Sequence, residues 1–347
     1  MLIRDLGERG LLKLIQPYCL PKTIGDDGAI VHPPLGCELV VTTDVLVDGV
    51  HFSDRTTSPF DVGWRSVAAN LSDLAAMGAT PLGITVGLSL PPDLPVVWLE
   101  QLYAGMQACL QRYDTGIIGG DLTRSSIITV AITALGAVTA DRIIARSTAR
   151  VGDLIVVTGD HGDSHAGLQL LLDPELGRDI SKFTNTADLE QHRQILITAH
   201  QRPQPRLDIL PLLDALAERL RQRVRASAGE SFPISGMDSS DGLADAIEQI
   251  CRSSGVGAIL NRSMLPISPS LSQMFPATTV ESALYGGEDF ELVLCLPASI
   301  ALELVDLMGK GAAIVGKITR SPDIILVDDI TGSPPIYLAK AAGFQHF

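Results

Sequence analysis

The chain has 347 residues, enough for two domains or one large one, and 46% of them are hydrophobic, enough to bury a substantial core. A formal charge of −14 excludes a general nucleic-acid binder, a class marked by basic patches. Five cysteines with no CxxC pair argue against a disulfide scaffold or a structural zinc site and for a reducing cytoplasmic setting.

The N-terminal "MLIRDLGERGLL" carries acids and no continuous apolar core, so no signal peptide is expected there. No apolar run approaches the roughly 20 residues of a membrane span, and no membrane contact is expected. The first strand is expected at 39–47, where Val40, Val41, Val45 and Val47 have the β-branched character of a buried strand. Asp44 interrupts that strand. A buried charge costs several kcal/mol unless it is paired or bound to a metal.

A helix is expected over 58–77. Ser58 can cap it, Pro59 suits its first position, and Trp64, Val67, Leu71 and Leu74 recur at helical spacing before Gly78. A second helix is expected from about Pro95 to Tyr113, with Leu99, Leu102, Met106 and Leu110 as its apolar seam. Further strands are expected at 127–138, 154–158, 257–261, 289–296, 312–318 and 323–328, and a helix at 241–254. In the strand at 289–296, Phe290, Leu292 and Leu294 are expected to alternate toward a core. The stretch 174–206 is polar and rich in Gln, His and Arg, and a break near 140–153 separates two halves.

Carboxylates gather at turns and element ends: Asp26 and Asp27, Asp44, Asp73, Asp121, Asp238 and Asp241. Each has an ordinary reading. Asp27 can be a turn residue, Asp238 and Asp241 can cap the helix that follows, and Asn70 and Asp73 can lie on a solvated helix face. Together, with Thr42 and Thr43 beside Asp44, they make a hard-oxygen donor set of the kind Mg²⁺ takes alongside water and substrate phosphates. Glycine pairs at 119–120 and 286–287 allow close backbone approach to a ligand. There is no Walker A loop and no protein-kinase glycine loop.

The ordered series "GDDGAIV" (25–31), "TTDVLVDGVHF" (42–52), "NLSDLAAMGATP" (70–81), "GGDLT" (119–123), "SSDGL" (239–243), "GGEDFEL" (286–292) and "AGFQHF" (342–347) closely resembles the thiamine-monophosphate kinase family. That family belongs to the superfamily of aminoimidazole-ribonucleotide synthetase and selenophosphate synthetase. The resemblance implies an α/β (α+β) two-domain fold: an N-terminal ATP- and Mg-binding domain over 1–140 that pairs through its sheet in a homodimer, and a C-terminal domain over 150–347. It also implies Mg-assisted transfer of a phosphoryl group from ATP to thiamine monophosphate. The attacking group would then be a phosphate oxygen, already anionic near neutral pH, so direct transfer without a phosphoenzyme is expected and no residue is assigned as nucleophile. Carried onto matching positions, Asp27, Thr42, Thr43, Asp44, Asp73, Asp121, Asp238 and Asp241 are the expected magnesium ligands. Tyr103, Gly120, Asp121, Arg146 and Ser240 are the expected ATP contacts, and His51, Glu288 and Phe344 the expected contacts to thiamine monophosphate. The alternatives are another ATP-dependent synthetase of the same superfamily, or a Mg-dependent phosphatase. Gly28 stands where the family often has Ala, and "TGDHGDSHAGL" (158–168) carries extra His and Asp.

Overall fold

The structure, a computed structural model, describes residues 1–21, 23–177, 185–224 and 234–338, the side chains of 220–224 excepted. The chain divides into two compact units, Met1–Leu74 with Ala79–Thr139, and Ala75–Gly78 with Ala140–Phe347.

The first unit contains α1 (Ile3–Ile15), β1 (Cys37–Val47), α2 (Pro59–Ala76), β2 (Thr80–Leu90), α3 (Val96–Gln111), β3 (Ile117–Arg124) and β4 (Thr129–Thr139). Its four strands are ordered β1-β4-β2-β3, with β2 and β3 parallel and the other pairs antiparallel. The periodicity expected for α2 and α3 is realised: Leu71, Leu74, Leu99, Leu102, Met106 and Leu110 are fully buried, along with Ile84, Leu88 and Ile132 of the sheet. The two helices cross at glycines. A Cβ on Gly105 would lie 1.8 Å from the Phe60 carbonyl, and one on Gly63 would lie 2.0 Å from that of Leu102. Only glycine admits so close a crossing, and the crossing fixes α2 against its neighbours.

β1 occupies its expected place, but its faces are reversed from a simple buried strand. Val41 and Val45 are 57% and 45% exposed, while Thr42 and Asp44 are half-buried on the side facing α2. The register explains this. Thr42, Asp44 and Leu46 lie opposite Ala134, Ile132 and Val130, all fully buried, whereas the odd-numbered face is uncovered within this unit. β2, in "TPLGITVGLSL", and the short β3 were not expected, because glycines dilute their β-branched pattern.

The second unit contains β5 (Leu154–Val157), α4 (Asp163–Leu172), α5 (Thr186–Gln201), α6 (Leu210–Val224), β6 (Ser235–Asp238), α7 (Leu243–Ser254), β7 (Gly257–Asn261), α8 (Pro269–Met274), α9 (Thr279–Tyr285), β8 (Leu292–Leu296), α10 (Ala298–Met308), β9 (Ala313–Thr319), β10 (Ile324–Val327) and β11 (Ile336–Tyr337). Its seven strands are ordered β11-β10-β7-β9-β5-β8-β6. The polar stretch 174–206 contains α5, whose Asn185 side chain caps the Asp188 N–H and whose Leu189 and Leu196 pack on α4 and α8 residues. β8 begins at Leu292, not at 289, and all five of its residues are buried: it is covered on both faces and does not alternate. Among the described residues no helix is long and apolar enough to cross a membrane.

Candidate functional site

In the first unit the expected residues gather where β1 meets α2. Thr42 Oγ1 donates a short hydrogen bond to Asp73 Oδ2. The Asp44 N–H, an edge-strand donor, reaches Asn70 Oδ1 at 3.1 Å, and Asn70 Nδ2 donates to the Ser66 carbonyl at 2.9 Å, which orients the amide. Asn70 is fully buried and Asp73 half-buried, so the solvated-face reading of this pair is overturned; α2 turns a polar edge onto β1. Thr43, one residue along, points to the other face and pairs with the Thr133 hydroxyl at 2.8 Å.

Gly120 and Asp121 lie on β3, at the sheet edge opposite β1. A Cβ on Gly120 would meet the Val86 carbonyl at 2.2 Å, so glycine is required there. The register sets Asp121 beside Gly87, on the uncovered face. Asp27 is exposed in a bend. The His51 Nδ1 accepts the Val47 N–H at 3.1 Å, an arrangement that leaves the proton of the neutral ring on Nε2. Tyr103 is buried on α3 with its ring 5.6 Å from that of Tyr18.

In the second unit Asp238 ends β6, 2% exposed, and accepts from Ser240 Oγ at 3.1 Å. Asp241 is exposed, and α7 starts from Gly242 with no side-chain cap, which overturns the capping reading of both acids. This loop is stitched to "GGEDFEL": Ser239 N–H donates to the Glu291 carbonyl at 2.8 Å, and Glu288 N–H donates to the Ser240 carbonyl at 2.7 Å. Glu288 and Phe290 both adopt left-handed backbone, φ +67 and +54, strained for residues other than glycine. Asp289 holds the turn, its carboxylate accepting from the N–H groups of Gly162 at 2.6 Å and Ser164 at 2.9 Å, at the start of α4. Burial pushes the Asp289 carboxyl well above its ordinary range, against the pull of those two bonds. Arg146 is exposed and donates to Gln249 Oε1 of α7 at 2.6 Å. Phe344 lies outside the described residues.

Among the described residues no group of three or more His, Cys, Asp or Glu side chains gathers closely enough to hold a metal by itself. The donors on β1 and α2 are instead two carboxylates interleaved with hydroxyls.

The AIR synthase related protein family matches in both its parts, the N-terminal domain over residues 25–138 and the C-terminal domain over 150–329. A curated thiamine-monophosphate kinase of Synechococcus elongatus is 48% identical over 346 residues, covering 99% of this chain and 98% of its own. The chain belongs to the thiamine-monophosphate kinase family. A solved thiamine-monophosphate kinase from Stenotrophomonas maltophilia is 32% identical, with a TM-score of 0.73 over 94% of this chain and 98% of the other. The structure of AaThiL complexed with AMPPCP and TMP is 29% identical, with a TM-score of 0.69 over 100% and 99%.

Within that kinase family frame, the structure brings Thr42, Asp44 and Asp73 together in one unit, and Asp238, Ser240 and Glu288 in the other. It sets Thr43 and Asp121 on the uncovered sheet face. Sequence reasoning missed His200, which adjoins Glu288, Ser164, which adjoins His200 and Asp289, and Arg206, which pairs with Glu291. Their signals were "TGDHGDSHAGL", which contains Ser164, and the polar stretch 174–206, which contains His200 and Arg206.

Proposed function

We infer that the chain transfers the γ-phosphoryl group of ATP to the phosphate of thiamine monophosphate, giving ADP and thiamine diphosphate. The observation that carries this reading is the all-oxygen donor set on β1 and α2, in a chain matching a curated thiamine-monophosphate kinase end to end. Both substrates are anionic. At ~4 Å two unit charges repel by roughly 4 kcal/mol at an effective dielectric of 20, so an acid-lined site needs cations. Carboxylate and hydroxyl oxygens are the donors Mg²⁺ prefers. Asp27, Thr42, Thr43, Asp44, Asp73 and Asp121 of the first unit, and Asp238 and Asp241 of the second, would hold it. When bound it supplies charge neutralisation and alignment of phosphate oxygens.

The chain's own residues do the positioning. Thr42 and Asn70 fix Asp73 and the Asp44 backbone. Tyr103, Gly120, Asp121, Arg146 and Ser240 are the ATP contacts of this reading; the planar fork of Arg146 suits a phosphate. His51, Glu288 and Phe344 meet thiamine monophosphate, with the Glu288 carboxylate suited to its cationic or amino-bearing rings. The attacking phosphate oxygen is already anionic near neutral pH, so transfer is direct and requires no protein nucleophile.

Two copies pairing through the uncovered sheet face belong to the same reading. That face presents Leu39, Val41 and Val45, 47%, 57% and 45% exposed, beside Thr43. Asp121 sits about 14 Å from β1 by strand spacing, a gap that a second copy's sheet would close. A cytoplasmic setting accords with five free thiols.

The test is to incubate the protein with ATP, thiamine monophosphate and Mg²⁺ and to follow thiamine diphosphate, ADP and free phosphate together. Equal amounts of thiamine diphosphate and ADP are expected. Free phosphate in place of thiamine diphosphate would establish a phosphatase instead, and a phosphorylated protein trapped by rapid quench would overturn direct transfer.

A further inference from the structure

Glu288 is held at an unfavourable backbone angle, and its surroundings show what holds its side chain. Its carboxylate Oε2 lies 3.6 Å from Nδ1 of His200, in the last turn of α5. The His200 side chain is 2% exposed, while that of Glu288 is 35% exposed. One oxygen of the acid thus faces a buried imidazole while the side chain as a whole keeps part of its solvent exposure. Ser164 Oγ is 3.3 Å from the same Nδ1, and the Ser164 N–H donates to Asp289 Oδ1. Ser164 therefore reaches both acids of "GGED", directly through its N–H and through His200 by its hydroxyl. The backbone that carries His200 is packed closely on α4: a Cβ on Gly167 would lie 2.1 Å from the Leu196 carbonyl and 3.0 Å from His200 Cβ.

We propose that His200, backed by Ser164, is a positioning residue that holds the Glu288 carboxylate in place for the substrate's organic part. This rests on the reading that Glu288 meets thiamine monophosphate. At 3.6 Å the contact is longer than a hydrogen bond, so it acts by orienting the carboxylate, and such contacts commonly tighten when substrate binds. A glutamate left to sample rotamers would lose that freedom on binding, at a cost in affinity. Under that assignment Glu288 serves thiamine monophosphate and not ATP, so the effect is expected on one substrate only.

The test uses the full chain and measures KM for thiamine monophosphate and for ATP separately, with thermal melting alongside. His200→Leu keeps bulk and removes the donor; it should raise KM for thiamine monophosphate about tenfold, the order expected for losing a contact to a charged group, with KM for ATP within about twofold. His200→Asn keeps a donor near the Nδ1 position and should recover most of that loss. Ser164→Ala, which spares the backbone bond to Asp289, should give a smaller rise of about threefold. In a Glu288→Gln background, His200→Leu should add almost nothing, because coupled residues are non-additive. The proposal is overturned if His200→Leu leaves KM for thiamine monophosphate unchanged, if both KM values rise in parallel, or if the His200 and Glu288 effects add. Should His200→Leu not fold, an unchanged KM in Ser164→Ala refutes it equally. A parent protein that makes no thiamine diphosphate overturns the functional reading and this inference with it; an active parent with an indifferent His200→Leu overturns the inference alone.

Discussion

Replacing Arg206 with Met isolates the charge pair beneath the second unit's loops. Arg206 Nη1 donates to Glu291 Oε2 at 2.6 Å and also to the Thr158 carbonyl, while Nε and Nη2 reach the Asp208 carboxylate at 3.0 and 3.1 Å. The side chains of Arg206 and Glu291 are 17% and 16% exposed, so this is close to a buried pair. Burial raises the Glu291 carboxyl above its ordinary range, and Arg206 and the Thr158 hydroxyl oppose that rise. Taking away one partner of a buried pair costs about 3–5 kcal/mol, chiefly because the other charge is left unpaired. Asp208, largely exposed, contributes less than about 1 kcal/mol. Arg206→Met should therefore lose about 3 kcal/mol in urea unfolding, and Arg206→Met with Glu291→Gln should recover more than half of that, since no orphan charge remains. Because the Glu291 carbonyl holds the Ser239 N–H, thiamine diphosphate formation should fall with the single variant and return in part with the double. The reasoning is refuted if the single variant loses less than about 1 kcal/mol, or if single and double variants are equally destabilised.

Three further outcomes follow from local geometry. Gly105→Ala would place a methyl 1.8 Å from the Phe60 carbonyl and force α2 and α3 apart, a loss of about 3 kcal/mol or more; Gly28→Ala, whose Cβ would meet nothing within 4 Å, should be tolerated, and thermal melting of the two checks both. Asp163, buried and bonded by the Ser268 hydroxyl at 2.6 Å, has its carboxyl raised from 3.8 to about 6, chiefly by burial. The native state then holds a proton that the unfolded chain has released, so this group's contribution falls as pH rises between about 4 and 6, a ceiling of about 3 kcal/mol. Asp163→Asn should lose that slope and exceed the parent's stability above pH 6. Burial depresses His161 to about 4, which gives the opposite slope, so the readout is the difference between variant and parent; parallel stability curves would contradict it. Val45→Lys, on the uncovered sheet face, should halve the mass seen by light scattering, and an unchanged mass would remove the proposed pairing surface.

Much of the fold was legible because periodicity tracks packing: α2, α3, β1, β4 and β7 lie close to where spacing sets them. What a single strand cannot reveal is which of its faces is covered. Val41 and Val45 of β1 suggest burial, yet they lie outside while Thr42 and Asp44 face α2, because α2 turns Asn70 and Asp73 toward them. The turn "GGEDFEL" reads as a strand start because Phe290 and Leu292 have strand character, but Glu288 and Phe290 adopt left-handed backbone fixed by contacts with residues more than a hundred positions away. The pairings of His200 with Glu288 and of Arg206 with Glu291 are likewise products of tertiary structure, and no local spacing announces them.

The central claim is that the acids on β1 and α2 hold cations that let two phosphates meet, and Asp73→Asn tests it most directly. The amide keeps the shape of the carboxylate and an oxygen to accept the Thr42 hydroxyl, so the protein should stay folded. At saturating ATP, thiamine monophosphate and Mg²⁺, the rate of thiamine diphosphate formation should fall by about a hundredfold or more, a loss of at least about 2.7 kcal/mol of transition-state stabilisation. A folded Asp73→Asn protein turning over at the parental rate would contradict the account.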